Sequence, residues 1–426
     1  MNHAGKNVKH TTNLLTLLMI SGLALTGCSA GTNPAPNASP AAPQNSLPSE
    51  TNAGPSSTQS ISPTTSNTPS DNASLTPAAS EKPSKAQELL ATLNSQEKIG
   101  QILMAGIPAT GSSAQDRANI SENSLGNVFL RGRSSAGVSG TKTVVDRVKK
   151  TISSGQNIQI APWVSTDQEG GLVQVLKGNG FSSIPSGKTQ GSWDPQRLEQ
   201  DATQWAQELA KTGINVNLAP VADTVSSAGF APSNAPIGYF GREYGFTPQD
   251  VSDSTRAFSR GMVKAGVAPV VKHFPGLGRV TKNTDVAKNV TDTKTTRNDP
   301  YLEPFKDAIT DGNEWIMISN AYYSKIDPKN IAPFSSTIMR GMLRDDLGFT
   351  GLIITDDVCD ATQLSPWSLA TRATEFFEAG GTVLLCVESS KTAIIAKALN
   401  AKVAQDPALA KLVDAAALKV LESKLD

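Results

Sequence analysis

Eight short apolar runs recur between residues 101 and 387, each followed by a segment with helical spacing. They are QILMAG (101–106), NVFL (127–130), IAPWVSTD (160–167), INVNLAPVAD (214–223), VAPVVKHF (267–274), WIMISN (315–320), GLIITDD (351–357) and TVLLCV (382–387). Continuous rather than alternating apolar character suits strands buried on both faces of a parallel sheet. The intervening RLEQDATQWAQELAKTG (197–213) has helical spacing and stops at Gly213, as a helix should. Repeated eight times, this unit predicts an α/β fold, a closed (β/α)8 TIM-type barrel.

The polar residues fall at the ends of these runs. Asp167, Asp223, Lys272, His273, Asn320, Asp356 and Asp357 all stand at C-terminal strand ends. In barrels of this kind that rim carries the active site, whatever the chemistry. One acid there can simply cap the next helix. Seven polar residues converging on one rim exceed what capping needs. The densest stretch is VVKHFPGLGRVTKNTD (270–285), where a buried strand runs into Lys272, His273, a Pro-Gly turn and a polar loop.

The chain before the first run is of another kind. Lys6 and Lys9 precede LLTLLMISGLAL, which ends in Leu25-Thr26-Gly27-Cys28. A basic start, a short apolar core and small residues before a cut predict a signal peptide over 1–27. The apolar run is shorter than a membrane span. Leu-Thr-Gly-Cys resembles the bacterial lipobox, so Cys28 is the expected lipidation site and the mature protein is expected outside the cytoplasm, lipid-anchored to the membrane. Residues 28–83 are rich in Ser, Thr, Pro and Ala. Such a segment buries too little apolar surface to offset its ordering entropy and reads as a disordered tether. Residues 84–426 then form the barrel domain.

The 38 basic and 38 acidic residues balance, and no basic stripe interleaved with aromatics appears, which argues against nucleic acid. His3 and His10 leave with the signal peptide, so His273 is the one histidine expected in the mature chain. A histidine-based metal site is hard to build from it, and no metal or cofactor is expected. Cys359 and Cys386 lie near the ends of the seventh and eighth runs. A bridge between adjacent barrel strands is geometrically allowed, and two free buried thiols are equally compatible.

The segments STDQEGGLVQ, INVNLAPVADT, KHFPGLG, LRDDLGFTGLIITDD and EKIGQILM together resemble glycoside hydrolase family 3, specifically its single-barrel bacterial β-N-acetylglucosaminidases. The resemblance spans residues 84–426. It implies a retaining mechanism, with a carboxylate nucleophile, a covalent glycosyl-enzyme and an acid/base group. By position, Asp356 corresponds to the nucleophile and Asp357 to a supporting or capping residue. Asp167, Lys272 and His273 correspond to residues that hold the non-reducing sugar, and Arg242 of Gly-Arg-Glu-Tyr-Gly joins them. The implied substrate is an N-acetylglucosamine-containing oligosaccharide or muropeptide.

This chain departs from the family pattern in two places. Leu172 and Val175 stand where arginines are expected after Asp-Gln-Glu-Gly-Gly. The subgroup's K-H-F-P-G-H-G is followed by a loop ending D-S-H, an Asp–His acid/base pair; here Leu277 replaces the second histidine and the loop reads Asn283-Thr284-Asp285. Asp285 fills the vacant histidine slot, and a carboxylic acid is the usual glycosidase acid/base, so Asp285 is the expected proton donor. Burial beside Asp356 is expected to raise its pKa, and its loop to swing when substrate binds. The alternatives are a sugar-binding pseudoenzyme that keeps the pocket without the proton shuttle, a β-glucosidase or β-xylosidase of the same family, and a phosphorylase variant. For His273 the alternative role is a neutral wall residue tied to a backbone carbonyl.

Overall fold

The computed structural model describes residues 82–425, so the predicted signal peptide, Cys28 and all but the last two residues of the linker lie outside the described residues. Each apolar run contains one parallel strand. We number them β1 (Leu103–Pro108), β2 (Asn127–Arg131), β3 (Trp163–Thr166), β4 (Val216–Asn217), β5 (Val271–Phe274), β6 (Trp315–Ile318), β7 (Leu352–Thr355) and β8 (Leu384–Cys386). A short piece, Ala268–Pro269, leads into β5 and pairs with β4.

The strands hydrogen-bond in the order β8-β1-β2-β3-β4, ending on Ala268–Pro269, and in a second sheet β7-β6-β5. Isolated parallel bridges, Val221 with Lys272 and Ile354 with Val383, join the two sheets at both edges. The parallel α/β architecture read from the sequence is therefore present, with strands running around a ring. Every residue of β3, β5, β6, β7 and β8 is buried, which explains why the runs do not alternate. At the N-terminal ends of β3 and β6, Trp163 and Trp315 meet edge-on with ring centroids 4.4 Å apart.

Helices cover the strands. The helix Pro195–Thr212 is capped by Asp194, whose side chain accepts from the Gln196 N–H, and it ends at Gly213 with φ 85°, the left-handed conformation glycine adopts without strain. It packs against Pro248–Lys264 through Trp205 and Phe258, 6.1 Å between centroids. Two small pairings in the loops, antiparallel Gln168–Gly170 with Val173–Gln174 and parallel Thr291–Asp292 with Tyr322–Tyr323, had no counterpart in the sequence reading. They are too short to leave a periodic signal.

Cys359 and Cys386 form a disulfide, which resolves the choice left open by the sequence. Asp357 lies against both sulfurs, within 4.8 Å. With the sulfurs joined, neither supplies the thiolate that a metal would need.

Candidate active site

One pocket of about 410 Å³ lies at the C-terminal ends of the strands. Asp167, Arg242, Lys272, His273, Asp285 and Asp356, the six residues singled out for chemistry from the sequence, all line it. Asp223 and Asn320, also at strand ends, do not line it; both are fully buried and act on neighbours.

The cationic side of the pocket is built on the loop after β3. Asp167 and Glu169 are two residues apart in extended chain and share a face. Lys272 Nζ lies 2.7 Å from Asp167 Oδ1 and 2.6 Å from Glu169 Oε1. Arg242 grips Glu169 from the other side, with Nε to Oε2 at 2.9 Å and Nη2 to Oε1 at 2.8 Å, while Nη1 donates to the Pro236 carbonyl. Such a bidentate fork fixes the guanidinium plane. Burial alone would raise the Glu169 pKa, but Arg242 and Lys272 overcome it and hold the carboxyl at about 2. Burial likewise opposes the Lys272 charge, and Asp167 and Glu169 overcome that, raising its pKa. Both cations are therefore fixed in place, with charge to present to hydroxyl groups in the pocket. Glu169 is a site residue that sequence reading missed, although its spacing from Asp167 carried the signal.

His273 follows Lys272 directly, yet both reach the pocket. Pairing with β6 matches Lys272 to Met317 and Phe274 to Ile318, and the register shift between them leaves His273 as a bulge. The ring is not tied to a backbone carbonyl, the alternative weighed from sequence. Its Nδ1 lies 2.6 Å from Asp223 Oδ2, and the other oxygen of Asp223 accepts from the N–H groups of His273 and Leu277. A carboxylate on Nδ1 leaves Nε2 for a ligand. Asp223 thus orients His273 and the start of the Pro-Gly turn together. Gly278 lets that turn settle on β4's exit, because a Cβ there would stand 1.9 Å from the Thr224 carbonyl oxygen.

Asp356 ends β7. Its N–H donates to Ile318 O and its Oδ1 accepts from the Asp357 N–H, which fixes the carboxylate at the mouth. Asp357 points away from this role: Oδ1 accepts from the N–H groups of Cys359 and Val387, and Oδ2 from that of Asp360. It ties the turn, as a capping residue does. Burial raises the Asp356 pKa, His273 opposes that, and Asp285 adds to it, leaving a value of about 6. An attacking carboxylate must be ionised, so kcat/KM should rise with pH through about 6. The same shift affects stability. A carboxyl with a raised folded pKa binds protons more readily folded than unfolded, so stability falls as pH rises from about 4 to about 6 and stays lower above. Asp356→Asn should therefore raise stability by about 1–3 kcal/mol at pH 8 and much less at pH 4, measured by urea unfolding. Equal effects at both pH values would contradict this.

Asp285 differs from expectation in its burial and in how its loop is held. Its side chain is exposed at the pocket wall, not buried beside Asp356, although its charge acts on Asp356. The loop is also held at its backbone. Thr362 N–H donates to Asp285 O, Gln363 N–H to Thr284 O, and the Gln363 side chain bonds both the N–H and C=O of Val290. Asn283 Oδ1 accepts from the Asp285 N–H at 2.9 Å, an Asx turn that sets the direction of the residue. These bonds hold the backbone of the loop on which Asp285 sits, so that a swing of the whole loop would have to break them.

Comparison with known proteins identifies the family. Residues 94–423 match the glycosyl hydrolase family 3 N terminal domain. A β-hexosaminidase of Stenotrophomonas maltophilia (strain R551-3) is 29% identical over 320 residues, covering 70% of this chain and 88% of that protein. One from Nitrosomonas eutropha is 30% identical over 298 residues, 67% of this chain and 80% of that one. Among solved structures, β-N-acetylhexosaminidase from Beutenbergia cavernae DSM 12333 is 44% identical with a TM-score of 0.76, covering 79% of this chain and all of that one. A glycoside hydrolase family 3 β-N-acetylglucosaminidase from Paenibacillus sp. str. FPU-7 is 26% identical with a TM-score of 0.69, covering 78% of this chain and 63% of that one. The family match spans residues 94–423, which include all eight strands, and on it the chain belongs to glycoside hydrolase family 3.

Proposed function

We propose that the chain is a retaining exo-β-N-acetylglucosaminidase that releases terminal N-acetylglucosamine from cell-wall fragments or related oligosaccharides. The observation that carries this is the convergence of Asp356, Asp285 and four candidate sugar-holding residues on one pocket at the strand C-termini, on a ring we read as a (β/α)8 barrel. The relatives' names supply the sugar.

Asp167, Arg242, Lys272 and His273 hold the hydroxyls of the terminal ring and fix the anomeric carbon against Asp356. An Asp356 oxygen attacks that carbon, a C–O bond to the enzyme forms, and the bond to the departing sugar oxygen breaks as Asp285 gives that oxygen its proton. Water then attacks the same carbon, Asp285 takes a proton from it, and Asp356 leaves as carboxylate. Domain boundaries follow the sequence: a signal peptide over 1–27, a lipidated Cys28 with its linker to 83, and the catalytic domain from 84. The Cys359–Cys386 bridge supports an extracytoplasmic location, since such bonds persist in oxidising compartments.

The leaving group tests the proton donor. A phenol of low pKa departs with little protonation, whereas a sugar needs a full proton. Asp285→Asn should slow disaccharide cleavage by about 10²–10⁴-fold, with a much smaller loss in the first step on an activated aryl β-N-acetylglucosaminide. Equal losses on both substrates, or none on either, would return the acid/base role to another group. Hydrolysis of the aryl N-acetylglucosaminide should also greatly exceed that of the matching glucoside.

A further inference from the structure

A second cavity, of about 470 Å³, lies elsewhere on the domain. Its walls come from the π-helix Thr337–Asp346, the turn leading into β7, the turn leading into β8, and the helix Pro407–Leu425. Those turns enter their strands at the N-terminal ends, so the cavity sits on the face opposite Asp356 and takes no part in the proposed hydrolysis.

Arg340, Arg344 and Lys419 line it, and no carboxylate does. None of the three forms an ion pair among the described residues. Glu314 and Glu422 line a smaller adjoining hollow, which shares Thr350 and Lys419 with the cavity. Arg344 Nη1 donates to the carbonyls of Phe349 and Gly351, both at 2.7 Å, which anchors the guanidinium and leaves Nε and Nη2 uncommitted. Arg340 donates to the Glu378 carbonyl and lies across Gly380, where a Cβ would stand 3.0 Å from Arg340 Cγ. The floor is apolar: Phe349, Phe377 and Ala416 are buried beneath it. With no counter-charge, burial pushes Arg344 down to about 10, and a bound anion would restore it.

We propose that this cavity binds an organophosphate, its head between Arg340, Arg344 and Lys419 and its apolar body against Phe349, Phe377 and Leu412. Two planar guanidiniums offer paired donors that match phosphate oxygens, and the ammonium adds a point charge. The volume and apolar floor exceed what inorganic phosphate fills, so the ligand carries a hydrocarbon or aryl portion. A soluble phosphate ester and a phospholipid headgroup present the same chemistry.

Calorimetric titration of the full chain with phenyl phosphate, inorganic phosphate and phenol tests the site, alongside co-sedimentation with phosphatidylglycerol or phosphatidylcholine vesicles. Phenyl phosphate should bind about tenfold or more tightly than inorganic phosphate, and phenol should not bind measurably. Capture by phosphatidylglycerol but not phosphatidylcholine vesicles assigns the lipid source; phenyl phosphate binding without vesicle capture assigns a soluble ester. Arg340→Ala with Lys419→Ala should weaken binding about tenfold or more while hydrolysis of the aryl N-acetylglucosaminide stays unchanged, which also reports an intact fold. Lys419→Ala alone, which removes no hydrogen bond, should weaken it in the same direction. Absence of binding to phenyl phosphate and to vesicles alike, or binding that both variants leave unchanged, overturns the proposal.

Discussion

Under the proposed mechanism, Asp356→Ala should lower turnover by about 10⁴–10⁶-fold, because it removes the atom that would form the covalent bond to the sugar. The fold and sugar binding should survive. Asp167, Glu169, Arg242 and Lys272 bond one another, and His273 is held by Asp223; none of these contacts passes through Asp356. Binding of N-acetylglucosamine by calorimetry should therefore change little in the variant. Near-normal turnover would show that another group attacks. Loss of binding together with turnover would point to a structural role.

The second large effect is expected at Glu169. It is 7% exposed and bonds the buried Lys272 and the half-buried Arg242. Glu169→Ala strips Arg242 of its carboxylate partner and leaves Lys272 with Asp167 alone. Breaking a buried pair from one side costs about 3–5 kcal/mol, because the remaining charge stays buried. If Arg242 and Lys272 hold the sugar as proposed, loss of the fork should let both drift from it, and kcat/KM should fall about 10²-fold. The stability loss carries a pH signature. A carboxyl whose folded pKa is depressed contributes fully above its unfolded value, and the contribution fades as pH falls toward about 2. The difference between wild type and Glu169→Gln in urea unfolding should thus be large at pH 7 and shrink toward pH 3. A difference that is independent of pH would show that packing, not charge, is the cause.

Strands were the most legible part of the sequence. Residues buried on both faces are mostly apolar, so GLIIT announced β7 and the run VAPVV announced the approach to β5, whose own Lys272 and His273 are buried exceptions that turn to the pocket. The rim followed from the same reading, since the polar residues that close the third to seventh runs have to lie where the strands leave the core. Partnerships were far less legible. Asp223 and Glu169 act through contacts 50 and 73 residues distant in sequence, to His273 and Arg242, and no local pattern encodes such pairs. The setting of Asp285 was misread for a related reason. Its short polar loop suggested freedom, but the restraint comes from Thr362 and Gln363, which reach it from beyond β7. Two cysteines 27 residues apart left pairing undecided; the approach of the β7 and β8 exits decides it.

The covalent intermediate tests the central claim most directly. A slow fluorinated N-acetylglucosaminyl donor should inactivate the enzyme with stoichiometric mass addition, and digestion should place the sugar on Asp356 in the peptide containing GLIITDD. A label on a different residue, or steady hydrolysis of the donor with inverted anomeric product and no adduct, would contradict Asp356 as the nucleophile of a retaining glycosidase.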